Sequence, residues 1–321
     1  MDKGKNGDNF ALIGVGGYIA PRHLQAIRDT GNKLVAAVDP KDSVGILDKF
    51  SFDVKFFTEI ERFDRHLEKL RRLSPEEQVH YVSICTPNYL HDAHCRLALR
   101  VGAHAICEKP LVINPWNLDA LEEIETETHR KVYTILQLRV HPELLKLKAQ
   151  IDAENPETHH EVVMSYITSR GIWYHVSWKG QTEKSGGIAT NIGIHLFDLL
   201  IWLFGPAFET KLYYADSKRM SGMINLKKAR VRWFLSVDFD DLPLEVKQAK
   251  RTTWRNLLID GKEVEFSEGF GDLHTRVYEK TLAGNGFGLA DARPAIELTH
   301  RIRHSEISAS DDLVHPFLKK S

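Results

Sequence analysis

A chain of 321 residues is long enough for one large domain or two ordinary ones. With 43 Lys and Arg against 44 Asp and Glu, the formal charge is -1, without the basic surplus of a nucleic-acid-binding protein. A hydrophobic fraction of 42% excludes a disordered chain, and three Cys with no CxxC pair argue against a disulfide framework or a structural zinc site.

The opening MDKGKNGDNF has no apolar core of the kind a signal peptide needs. No uninterrupted apolar run reaches the roughly 18 residues of a membrane helix. FDLLIWLF, at 197–204, stops at Gly205-Pro206 and reads as a buried helix ending. The expectation is a cytoplasmic protein with no membrane partner.

FALIGV, at 10–15, is a continuous apolar run suited to a parallel strand covered on both faces. Gly14, Gly16 and Gly17 follow, then a helical pattern through Leu24 and Ile27 that stops at Gly31. A second strand at 34–38 ends in Asp39-Pro40, and 52–57 could form a third. Apolar residues at 60, 63, 67, 70 and 73 predict an amphipathic helix over 59–72. A strand at 81–85 exits through Thr86-Pro87-Asn88 into a helix over 89–100. A further strand, 103–107, exits through Glu108-Lys109-Pro110, followed by a helix at 118–128 and a strand at 132–138. Alternation at this pitch predicts a doubly wound, mostly parallel sheet, an N-terminal Rossmann domain over 1–135.

The texture then changes. The polar stretch 152–160 reads as a surface connection. Beta-like runs follow at 161–167, 210–215, 229–238 and 256–266, with a hairpin turn at Asp260-Gly261. Partial alternation over 230–237 suits an antiparallel strand facing solvent on one side. Helices are expected at 273–283 and 291–308. Residues 136–321 are therefore expected to form a C-terminal α/β domain with a largely antiparallel open sheet.

The first strand–turn–helix carries a dinucleotide signal. Gly14 permits the tight turn, Gly16 lets the backbone approach a pyrophosphate at the helix N-terminus, and Asp39 would accept hydrogen bonds from a ribose. That carboxylate would repel a 2′-phosphate, favouring NAD over NADP. The third glycine position is Ile19, next to Tyr18, and the bland alternative is a glycine-rich turn with no ligand. Thr86, Asn88, Glu108, Lys109 and Gln137 gather at strand ends, the edge where doubly wound sheets bind ligands. His91 belongs to the same expected cofactor surface. An ammonium at Lys109 would stabilise an alkoxide or relay its proton; alone, it could equally be a surface lysine.

In the second half, Asn191 and His195 are four apart and would share a helix face. A neutral His195 could take a hydroxyl proton as hydride leaves the same carbon; a core or capping histidine is the alternative. Arg170 could grip a carboxylate or phosphate, with Tyr174 and Lys179 nearby, although an anchored surface loop reads the same way. His91 and His94 lack the further ligands of a metal site, and none is expected.

Together, Thr86-Pro87-Asn88, Glu108-Lys109-Pro110 and the segment from Gly186-Gly187 to His195 resemble the glucose-fructose oxidoreductase, inositol dehydrogenase and related (Gfo/Idh/MocA) family over nearly the whole chain. ALIGVGGYIAPRH, YVSICTPNYLH, ICEKPLV, YITSRGIWY, SWKG, ATNIGIHLFD and ARVRWFLSVD are most similar to its nucleotide-sugar dehydrogenase branch. The resemblance implies NAD-dependent oxidation of the 3-hydroxyl of UDP-N-acetyl-2-amino-2-deoxy-D-glucuronate, a step towards lipopolysaccharide O-antigen. It also implies a homotetramer and product transfer to an aminotransferase. Lys109 and His195 would be the catalytic pair and Asn191 would orient the substrate, where many members carry Asp. Other readings are a sugar or cyclitol dehydrogenase of the same family, or a non-catalytic NAD-binding regulator.

Overall fold

The structure, a computed structural model, describes residues 7–318 apart from 52, 267, 268, 270 and 310. Its contacts divide into two compact units: Met1–Val112, Trp116–Gln137 and Gly271–Ala292 form one, and Ile113–Pro115, Leu138–Phe270 and Arg293–Ser321 the other.

In the first unit the chain runs β1 (Asn9–Ile13), α1 (Ala20–Asp29), β2 (Lys33–Val38), β3 (Lys55–Phe57), α2 (Ile60–Leu73), β4 (Tyr81–Ile84), α3 (His91–Arg100), β5 (His104–Cys107), α4 (Trp116–Thr128) and β6 (Val132–Thr134). All six strands are parallel, in the order β3-β2-β1-β4-β5-β6. That is the Rossmann order, and it reverses direction at β1/β4, where such sheets open a crevice for a dinucleotide. Every residue of β1 is buried, as its unbroken apolar run requires. Phe52, in the expected third strand, lies outside the described residues, as do residues 1–6 of the N-terminal segment. β6 ends at Thr134, before the expected 138, because residues 137–140 turn into a short 3-10 helix.

The second unit continues with α5 (Pro142–Ala153), β7 (His160–Thr168), α6 (Ile172–Val176), α7 (Thr182–Ser185), α8 (Ile194–Phe204), β8 (Ala207–Ala215), β9 (Arg219–Leu226), β10 (Ala229–Ser236), α9 (Leu244–Gln248), β11 (Thr253–Ile259) and β12 (Lys262–Glu263). Its sheet has the order β12-β11-β7-β10-β9-β8. Among the described strands β10 and β7 pair in parallel, and the other ladders are antiparallel. β10 is not a solvent-facing strand. It lies between β7 and β9, with Val231, Trp233 and Leu235 buried on one face and Phe234 on the other. The helical run Thr182–Phe204 is long and apolar enough to cross a membrane by length and composition, but 78% of that window is buried inside the protein, as in a core helix.

A boundary at 135/136 misplaces one segment. α10 (Leu273–Leu282) belongs to the first unit, because Tyr278 stacks on Phe10 of β1 and bonds to Ser83 of β4. α11 (Leu289–Arg303) is divided between the two units.

Two ionic contacts organise the second unit. The Arg139 guanidinium forks onto Asp198 of α8, with Nε donating to Oδ2 at 3.0 Å and a terminal nitrogen donating to Oδ1 at 2.6 Å. Both side chains are buried. Asp198→Ala strands a buried guanidinium, and the expected loss is about 3–5 kcal/mol. A lowered midpoint in urea unfolding checks it.

His160 lies between Glu154 and Asp260, with 2.8 Å from each ring nitrogen to a carboxylate oxygen. Burial alone would lower its pKa, but the two carboxylates outweigh it and the pKa is raised. Its stabilising contribution is therefore complete below the unfolded value of about 6.5 and is lost as pH rises through the higher folded value. Thermal midpoints of the wild type should fall through that window, and His160→Gln should flatten this part of the profile.

Candidate active site

The glycine turn after β1 is built for close approach. Gly14 has φ +87°, and a Cβ there would lie 2.9 Å from the backbone carbonyl of Cys85. Its N–H donates to Val38 O at 2.8 Å, tying the turn to the end of β2. Asp39, the next residue, is buried. Its Oδ2 accepts from Gly16 N at 2.9 Å and its Oδ1 from Lys41 N at 2.9 Å. A carboxylate is thus fixed at the mouth of the turn, ahead of α1. Ile19 precedes the first residue of α1 and is half-buried, while Tyr18 is 95% exposed.

The ends of β4 and β5 are laced together. His91 is fully buried, with Nδ1 at 2.7 Å from Pro110 O and Nε2 at 2.8 Å from Thr86 O. Burial disfavours the charged ring more than these carbonyls favour it, so the pKa is lowered. Thr86 Oγ1 also meets His94 Nδ1 at 3.0 Å, and burial pushes His94 down to about 4. Asn88 is buried beside them, and Lys109 is half-buried. Gln137 Oε1 is buried with no hydrogen-bond partner, an acceptor left for a ligand's donor. The glycine turn, Asp39 and this orphaned oxygen fit a dinucleotide along the edge of the sheet.

Behind Lys109 lies a cluster that sequence reading missed. Glu108 Oε1 is 2.9 Å from His23 Nε2 and 3.0 Å from His274 Nε2, and His23 Nδ1 is 2.7 Å from Tyr278 OH. Its members come from α1, the end of β5 and α10, so no local spacing could reveal it.

In the second unit the structure brings Arg170, Tyr174, Lys179 and Asn191 together. The Asn191 side-chain amide donates to Tyr174 OH at 3.1 Å. Burial raises the Tyr174 pKa against the opposing pull of Asn191 and the Arg170 charge; burial and then the same charge lower that of Lys179. Arg170 and Lys179 are exposed, and the Arg170 backbone N–H is held by Val237 O at 2.9 Å. Asn191 lies in a π-helical turn, Ala189–Gly193, rather than in regular α-helix, a local form frequent at functional sites. Between Ile188 and Ile201 every residue is buried except Asn191 and His195. An otherwise buried helix therefore opens at the two positions singled out from spacing.

The family model for an oxidoreductase with an NAD-binding Rossmann fold matches residues 9–136, and the model for that family's C-terminal α/β domain matches residues 158–227. The WlbA (WbpB) dehydrogenase from Thermus thermophilus, solved with NAD and alpha-ketoglutarate, is 50% identical over 97% of this chain and 99% of its own, with a TM-score of 0.93. The chain belongs to the Gfo/Idh/MocA oxidoreductase family. The same Thermus dehydrogenase solved with NAD and UDP-GlcNAcA gives 49% identity, the same coverage and a TM-score of 0.92. Among curated family members, the D-glucoside 3-dehydrogenase of Escherichia coli is 29% identical over 40% of this chain and 37% of its own length. The inositol 2-dehydrogenase of Rhizobium meliloti is 26% identical over 61% and 54%. The chain thus spans less than two thirds of the curated relatives it matches, but nearly all of the Thermus dehydrogenase.

His91→Phe removes the ring N–H and leaves the buried carbonyl that accepts it, Thr86 O or Pro110 O, unpaired. The expected cost is about 1–3 kcal/mol, read as a lower thermal midpoint by circular dichroism.

Proposed function

We propose that this oxidoreductase removes hydride from C3 of UDP-N-acetyl-2-amino-2-deoxy-D-glucuronate with NAD as acceptor, giving the 3-keto sugar. The observation that carries the reading is the 49% identity, over 97% of the chain, to a dehydrogenase solved with NAD and UDP-GlcNAcA. NAD, when bound, supplies the hydride acceptor; its adenosine side would be held by Gly14, Gly16 and Asp39. Tyr18, Ile19, Thr86, Asn88, His91, Glu108, Lys109 and Gln137 complete the proposed cofactor surface.

Oxidising a secondary alcohol also releases a proton. Lys109 and His195 handle it: the ammonium stabilises the developing alkoxide and the imidazole accepts the proton. Asn191, held by Tyr174, orients the hydroxyls. Arg170 and Lys179 face the anionic groups, Arg170 forking onto the uronate carboxylate. Because the Thermus dehydrogenase was solved with alpha-ketoglutarate as well as NAD, reduction of a 2-oxo acid to its 2-hydroxy acid is the proposed route back to NAD+. A cytoplasmic homotetramer handing its ketone to an aminotransferase completes the reading.

The test is NAD reduction with the UDP-linked uronic acid and a panel of free sugars and cyclitols. Lys109→Met and His195→Asn should each lower kcat by about 10²–10⁴-fold while NAD still binds. Arg170→Ala should weaken the acidic sugar nucleotide far more than its neutral counterpart; equal effects would remove Arg170 from the carboxylate. Turnover of a free sugar or cyclitol, with none of the nucleotide sugar, would replace this substrate.

A further inference from the structure

The side chains behind Lys109 form one continuous hydrogen-bond chain. Ser83 Oγ meets Tyr278 OH at 2.7 Å, and Tyr278 OH meets His23 Nδ1 at 2.7 Å. His23 Nε2 and His274 Nε2 both meet Glu108 Oε1, at 2.9 Å and 3.0 Å. Glu108 Oε2 accepts from Lys109 N at 3.3 Å, while the Glu108 backbone N–H donates to Ile84 O at 3.0 Å.

A neutral imidazole carries one N–H. With Ser83 donating to Tyr278 and Tyr278 donating to Nδ1, the His23 proton sits on Nε2 and points at Glu108. His274 presents its own Nε2–H, and the two lone pairs of Oε1 accept both. Two ring N–H groups therefore converge on one carboxylate oxygen. The position of that charge matters. A Rossmann sheet binds a dinucleotide across two mononucleotide halves. Asp39 stands at the end of β2 in the first half, and Glu108 at the end of β5 in the second, the half left for the nicotinamide. That ring is a cation when oxidised and neutral when reduced.

We propose that His23 and His274 are positioning residues that hold Glu108 as an anion at the carboxyl end of β5, and that this buried anion makes the cofactor groove prefer the oxidised nicotinamide over the reduced one. The inference rests on the dehydrogenase reading above. Burial opposes ionisation of Glu108, but the hydrogen bonds and electrostatic pull of His23 and His274 outweigh it and its pKa lies well below the ordinary value; burial lowers that of His23. The other titratable groups within the field of Glu108 are Cys85, Cys107 and Tyr278, whose pKa values burial raises, and His91, whose pKa burial lowers. The ligand atoms of His23, Glu108 and His274 lie within 4.8 Å of one another, close enough to suit a metal ion. The hydrogen-bond assignment commits both facing ring nitrogens to Oε1 and leaves a cation no lone pair there.

The experiment equilibrates wild type, Glu108→Gln and His274→Gln with NAD+/NADH mixtures across a pH series and reads the bound ratio from nicotinamide absorbance. Wild type should enrich NAD+ over NADH. In Glu108→Gln, which keeps an acceptor oxygen but removes the charge, the bound ratio should shift towards NADH on the order of tenfold at every pH. His274→Gln should match wild type at high pH and lose the preference at a higher pH than wild type as pH falls. If Glu108→Gln fails to fold by circular dichroism, the His274→Gln series decides alone. Bound ratios unmoved by either variant overturn the inference and leave the dehydrogenase reading standing. A wild type that retains neither cofactor overturns both. Stoichiometric metal in the wild type that is lost in His274→Gln also overturns it.

Discussion

A carboxylate cannot lie in a protein core unless hydrogen-bond donors converge on it, and Glu108 sets that demand at the end of β5. The donors come from far apart in sequence: His23 is 85 residues before it and His274 is 166 residues after it. Meeting the demand requires α1 to present its inner face and α10 to return to the first sheet after the long middle piece of the second unit, Leu138–Phe270, has been traversed. Tyr278 fixes the return from the other side, stacked on Phe10 and bonded to both His23 and Ser83. The composition of the first unit, with Gly271–Ala292 as its last piece, follows from satisfying one buried charge.

That dependence explains which parts of the fold were legible. Apolar runs and their exits located the parallel strands, because a strand covered on both faces must be apolar throughout. The return of Gly271–Ala292 to the first unit was not legible, because the reason for it is a contact between residues separated by more than a hundred positions. β9 escaped notice for a different reason. Its sequence RMSGMINL has Gly222 at the centre, where a Cβ would lie 2.2 Å from Lys211 O and 2.7 Å from the Trp233 ring. Close packing there demands the residue that weakens a strand signal. α5 was hidden because a helix begins at Pro142 directly after a 3-10 turn, in a stretch that continues the apolar pattern of β6.

The candidate site divides along the same line. Gly14, Gly16 and Asp39 were legible because their chemistry acts through neighbours fixed by one strand–turn–helix. Spacing singled out Asn191 and His195 on one helical run, and the turn that carries Asn191 is π-helical rather than α-helical. Both stand at the half-buried points of a buried segment. His23, His274 and Tyr278 carry no local pattern. A histidine inside a helix looks like any other until the acceptor it faces is known.

The overall charge of -1 hides how unevenly charge is used. In the first unit a buried anion is held by two ring N–H donors, in surroundings where field lines are little screened. In the second, Arg170 and Lys179 stand exposed, and the guanidinium's charge is felt at Tyr174 and at Lys179. Water screens exposed cations, so they guide and orient an anionic ligand more than they bind it tightly. A buried charge with fixed donors does the opposite, since it cannot reorganise and so discriminates between states of whatever lies beside it. A dehydrogenase needs both kinds, one to admit a polyanionic sugar nucleotide and one to separate two forms of a cofactor that differ by a single charge on one ring.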